Sequence, residues 1–147
     1  MIFRDQDYYM TEDELKLQAQ ALQWLRENMK RLKRECCDEE LFPSEKHPVT
    51  IFMAGTPGAG KTGFSKSLID ALDTPIIRLD ADEIREQMRE IGYTGDNAHC
   101  FQRAAGNAIN NLYSHAISKG QSALLDGTFA YGNWRENIER SLQRQTC

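Results

Sequence analysis

The chain has 147 residues, with 18 Lys plus Arg against 22 Asp plus Glu and a formal net charge of −4. At 40% hydrophobic and 27% charged residues, the composition is that of one globular domain, neither disordered nor membranous. No apolar run approaches the ~20 residues of a membrane helix, the acidic start MIFRDQDYYMTEDE lacks the pattern of a signal peptide, and the acidic balance argues against nonspecific nucleic-acid binding. The expectation is a cytoplasmic protein with no nucleic-acid or membrane partner.

Taken in chain order, the first element reads as a long polar helix. Thr11 and Glu14 have capping-box spacing, and Leu15, Leu22, Leu25, Met29 and Leu32 follow heptad a and d positions. The stripe is narrow and suits a helix laid on the domain behind it, or one that meets a partner. Residues 36–48 carry two prolines and break the periodicity, as a connector does. From residue 49, short apolar runs alternate with helical patterns. Strands are expected over 49–54, 75–79 and 122–125. Helices are expected over 60–72 (apolar face Phe64, Leu68, Ile69, Leu72), from residue 82, over 97–119, and from residue 133. Strands alternating with helices imply a parallel sheet.

Cys36, Cys37, Cys100 and Cys147 have neither CxxC spacing nor a disulfide framework, so they are expected to be reduced. His47, His99 and His115 are too scattered along the chain to suggest a ligand cluster.

Gly55-Thr56-Pro57-Gly58-Ala59-Gly60-Lys61-Thr62 matches GxxxxGK[ST] in full. A chance match in such a chain is on the order of 1% or less, and this one sits between an apolar strand and an amphipathic helix. Glycines let backbone N–H groups curl around phosphates, and the helix that follows points its dipole at the same anion. Lys61 is positioned to reach the β- and γ-phosphates of ATP or GTP, and the Thr62 hydroxyl to ligate Mg²⁺. The expected fold is therefore α/β, a P-loop NTPase-type three-layer α/β/α arrangement. Its parallel sheet has about three strands, and an N-terminal helical extension precedes it.

Asp80 and Asp82 follow the second strand, at the edge where open parallel sheets bind ligands. A carboxylate there can take the proton of a hydroxyl that attacks the γ-phosphate, although Asp82 also suits a helix cap. Asp126, after the third strand, resembles a Walker-B carboxylate, and Thr128 offers a hydroxyl toward a substrate pocket. The alternative for Asp126 is a strand-terminating turn whose Asp bonds nearby backbone N–H groups. Arg78, Arg85, Arg89 and Arg103 are candidate phosphate binders, although a surface arginine is the commoner reading of any one of them. Tyr93, Tyr131 and Trp134 could stack on a base or equally serve packing, and Asn107, Asn110 and Asn111 could face a polar pocket.

GTPGAGKT after a strand, LDADEIR some 20 residues on, and a long helix ending in SKGQSALLDGT together resemble the zeta toxin group of P-loop kinases. That resemblance implies phosphorylation of a sugar hydroxyl on UDP-N-acetylglucosamine. It makes Lys61 and Thr62 the phosphate-loop pair, Asp82 the base, and Asp80, Asp126 and Thr128 substrate-side residues. Asn110 stands where the family carries a substrate-binding Glu, which removes a negative charge. The family continues with further strands and a lid, so the resemblance makes this a C-terminally truncated kinase domain over 49–147, behind an extension and connector over 1–48. It also implies an antitoxin partner or, in its place, cis inhibition by the N-terminal helix. Two other readings stand beside it: a non-catalytic nucleotide-binding module, and another small-molecule or polynucleotide kinase.

Overall fold

A computed structural model of the chain describes residues 10–53, 61–126, 139 and 143. The elements are α1 (Glu12–Cys36), β1 (Thr50–Met53), α2 (Lys61–Leu72), β2 (Ile77–Asp80), α3 (Ala81–Gln87), a 3-10 turn (Met88–Ile91), α4 (Ala98–Ser118) and β3 (Ala123–Asp126). The strands form one parallel sheet in the order β1-β3-β2. The expected strands are all present, each within two residues of its expected limits. The final expected helix lies outside the described residues except for helical Glu139 and Gln143.

Side chains alternate across a strand, so each strand sorts its own residues between two layers. Ile77, Leu79 and Ala123 join the main apolar core with Phe52 and Leu125 at its margin, together with residues of α1 and α4. Tyr113 of α4 meets this face through an edge-on contact with Phe52, ring centroids 6.3 Å apart, and a 3.2 Å bond to the Thr50 hydroxyl. The alternate residues Arg78, Asp80 and Asp126 belong to the other face, where Arg78 and Asp126 bond Ser65 of α2. The result is helix, sheet, helix, in three layers.

α1 begins with the expected capping box: the Thr11 and Glu14 side chains each accept from the other's backbone N–H, both at 3.1 Å. Its inward stripe differs from the expected one. Gln18, Ala21, Trp24, Leu25 and Leu32 are buried, whereas Leu15 is exposed. Trp24 turns inward because its indole N–H finds an acceptor in Glu90 at 2.5 Å, which removes the cost of burying that donor. α2 departs in the same way: Phe64 and Leu72 are exposed, and among its described side chains the one buried completely is Ser65.

The connector is clamped rather than loose. Gln121 donates to the carbonyls of Cys37 and Phe42 at 2.9 and 2.8 Å, and Ser122 accepts from the Val49 N–H at 3.0 Å. Gly120 sits at φ +67 against this segment, and a Cβ there would meet Ser44 Oγ at 2.7 Å, so a residue without a side chain ends α4. Among the described residues, Cys36, Cys37 and Cys100 are free thiols, as expected.

Candidate functional site

The strand register builds the site. Met53, Asp126 and Asp80 are level across β1, β3 and β2, so both strand-end carboxylates share the edge from which the chain leaves β1 toward α2. Residues Gly55, Thr56, Pro57, Gly58, Ala59 and Gly60 lie outside the described residues, as does Thr128. Lys61 and Thr62 are the first two residues of α2, and their side chains are likewise outside the description. One turn further along α2, buried Ser65 donates from Oγ to Asp126 Oδ2 at 2.7 Å. The helix that follows the glycine-rich segment is thereby tied to the central strand.

Arg78 holds the rest of this cluster. Its guanidinium reaches Asp126 at 2.6 Å, Asp80 at 2.8 Å, Ser65 at 2.9 Å and Glu83 at 2.5 Å, with its side chain only 10% exposed. Burial acts to lower its pKa, but the hydrogen bond to Asp126 and the charges of Glu83, Asp80 and Asp126 outweigh it and raise the pKa. The commoner reading of Arg78, as a surface arginine, is therefore corrected: it is nearly buried, and in this state its donors reach three carboxylates and the Ser65 hydroxyl. Nothing in the sequence marked Ser65, whose partner is 61 residues away.

Asp80 is the N-cap of α3, accepting from the Asp82 N–H at 2.9 Å, so the cap is Asp80 and not Asp82. Asp82 lies in the first turn with its carboxylate largely exposed and paired with Arg85. Arg89 pairs with Glu86 and lies 5.2 Å over the Tyr93 ring, which itself packs edge-on against Phe101. These contacts occupy Arg85, Arg89 and Tyr93 within the α3–α4 region. Tyr131 and Trp134 lie outside the described residues.

α4 returns to β3 and so runs against the strand direction. Asn110 is three residues, about 4.5 Å of helix rise, nearer the carboxyl edge than Tyr113. Its Oδ1 is buried and accepts no hydrogen bond among the described residues. Asn111 instead donates to the Asn107 carbonyl at 2.9 Å.

A family model described as zeta toxin matches residues 33–146. No curated protein matches the chain. Among solved structures, one from the PezAT chromosomal toxin-antitoxin system of Streptococcus pneumoniae shares the fold at a TM-score of 0.61 and 23% identity. The match covers 92% of this chain and 54% of that one, so the present chain spans about half its length. Less than a tenth of this chain falls outside the match, fewer residues than the 25 of α1, so the shared fold takes in part of that helix. Because the family model spans most of its length, through the glycine-rich loop and all three strands, the chain belongs to the zeta toxin family.

Proposed function

We propose that this chain is the nucleotide-binding part of a zeta-toxin-type kinase, with Mg·ATP or Mg·GTP as donor and a sugar hydroxyl of UDP-N-acetylglucosamine as acceptor. One observation carries the reading: Asp80 and Asp126 stand level with the end of β1, and the helix after the GxxxxGK[ST] segment is bonded to Asp126 through Ser65. Two carboxylates level with the end of β1, where the chain leaves for α2, support a phosphate-binding role for the segment between β1 and α2.

In this reading, backbone N–H groups of residues 55–60 cradle the phosphates and Lys61 binds the β- and γ-phosphoryl oxygens. The Thr62 hydroxyl and the Asp126 carboxylate would hold Mg²⁺, being hard oxygens of the kind it selects; Asp126, buried at the strand end, would exchange its Arg78 contact for the ion. Bound Mg²⁺ supplies neutralisation of the charge shared between the β- and γ-phosphates. Asp82 accepts the proton of the acceptor hydroxyl as its oxygen attacks the γ-phosphorus. Its exposed carboxylate is open to a substrate arriving from solvent, and Arg85 fixes its direction. Asn110, whose buried acceptor oxygen lies on the turn of α4 nearer that edge than Tyr113, is assigned to hold a substrate hydroxyl or amide N–H.

The partner in this reading is an antitoxin-type protein, in line with the system to which the solved relative belongs. α1 is assigned a scaffold role and not that of a cis inhibitor, because its buried face is spent on the core it shares with α4. A non-catalytic module remains the second reading, and Arg78 favours it, since a guanidinium already neutralises both strand-end carboxylates.

The test is to incubate the chain with ATP or GTP, Mg²⁺ and UDP-N-acetylglucosamine and to look for a phosphorylated sugar nucleotide. Product that disappears in Asp82→Asn, with nucleotide affinity nearly unchanged, is the expected result. Nucleotide binding without any product would leave the non-catalytic reading.

A further inference from the structure

The fold brings together three metal-ligating side chains that the sequence keeps far apart. Glu14 lies in the first turn of α1, and His99 and Cys100 lie in the first turn of α4, 85 and 86 residues away. Glu14 Oε2 is 3.9 Å from Cys100 Sγ and in hydrogen-bond contact with His99 Nε2. All three ligand atoms fall within 4.8 Å of one another, and among the described residues no other such group of three occurs.

We propose that Glu14, His99 and Cys100 form a zinc site that fastens the start of α1 to the start of α4. Zinc takes S, N and O ligands at 2.0–2.3 Å, which places the corners of a tetrahedron roughly 3.3–3.8 Å apart. The carboxylate–sulfur edge is already close to that length. The His99 ring has to step back from Glu14, and with its side chain 52% exposed it has room to do so. Cys100 is buried and closes the inner side of the site, and the exposed side leaves a fourth position for water.

The outer shell is also built. Glu14 Oε1 accepts from the Thr11 N–H at 3.1 Å, which orients the carboxylate and leaves Oε2 for a ligand bond. The sulfur–zinc bond forms as the thiol proton leaves to solvent, so affinity rises with pH.

The experiment uses the full chain kept reduced, titrated with zinc chloride by calorimetry and with cobalt chloride by absorption. One site is expected, with a thiolate-to-cobalt charge-transfer band, and zinc should raise the melting temperature. His99→Ala should weaken zinc at least about tenfold, and Cys100→Ser should abolish the charge-transfer band. His99 is exposed, so its variant keeps the test valid if Cys100→Ser fails to fold. Two results overturn the proposal: no saturable zinc binding by the parent chain, or an affinity in His99→Ala within about twofold of the parent's, the tenfold loss being absent. Either would leave Glu14, His99 and Cys100 as a hydrogen-bonded contact between helices.

Discussion

Arg78 donates to Asp126 at 2.6 Å across two neighbouring parallel strands, 48 residues apart in the chain. The same guanidinium holds Asp80 at 2.8 Å, so one cation balances both carboxylates at the edge of the sheet. Removing it would leave two nearly buried carboxylates without their counter-charge. Arg78→Met should cost about 3 kcal/mol in urea unfolding. Arg78→Lys should recover only part of that, because an ammonium cannot reach Ser65, Asp80 and Asp126 in the fork that the guanidinium makes.

α1 is as much a part of the core as the strands are. Leu32 and Ala21 are fully buried, and Trp24 is 5% exposed with its N–H on Glu90. Leu32→Ala should destabilise by about 3 kcal/mol. Deleting residues 1–37 should give a chain without a cooperative unfolding transition by circular dichroism, because the face of α4 that packs on α1 would open to water. A folded and more active deletion product would instead assign α1 an inhibitory role.

Much of this was legible in the sequence. The Thr11–Glu14 box and the three strands are local features, fixed by capping and apolar runs, and sequence periodicity finds such features. What escaped were relations set by the crossovers. The order β1-β3-β2 decides that Asp80 and Asp126 become neighbours, and no local signal carries it. The convergence of Ser65 and Arg78 on Asp126 follows from that order. Gln18 and Trp24 replaced Leu15 in the inward stripe because burial tracks the facing surface and the available acceptor as well as hydrophobicity. His99 looked isolated because its neighbour Glu14 is 85 positions away.

His115 should make the fold acid-sensitive. Burial, with Lys33 and Lys119 adding to it and Glu39 opposing, lowers its pKa from the ordinary 6.5. The unfolded chain then binds the proton more readily than the folded one. Its contribution to stability is complete above 6.5 and is lost as pH falls from there through the lowered value. Urea midpoints at about pH 7.5 and about pH 5.5 should differ less in His115→Gln than in the parent.

Burial, with neighbouring Cys36 adding to it, pushes the Cys37 thiol to about 12, and its Sγ faces the Leu112 carbonyl at 3.8 Å. Thiolate is the species that alkylates. Iodoacetamide should therefore leave Cys37 unmodified in the folded chain and label it after urea unfolding, as read by peptide mass. Rapid labelling in the native state would show that the α1–α4 contact opens.

The most direct test of the functional account is calorimetric titration of Mg·ATP and Mg·GTP into the parent chain and Lys61→Ala. The account predicts saturable binding of at least one nucleotide by the parent and none by the variant, with both chains folded. Unchanged affinity in Lys61→Ala would contradict it.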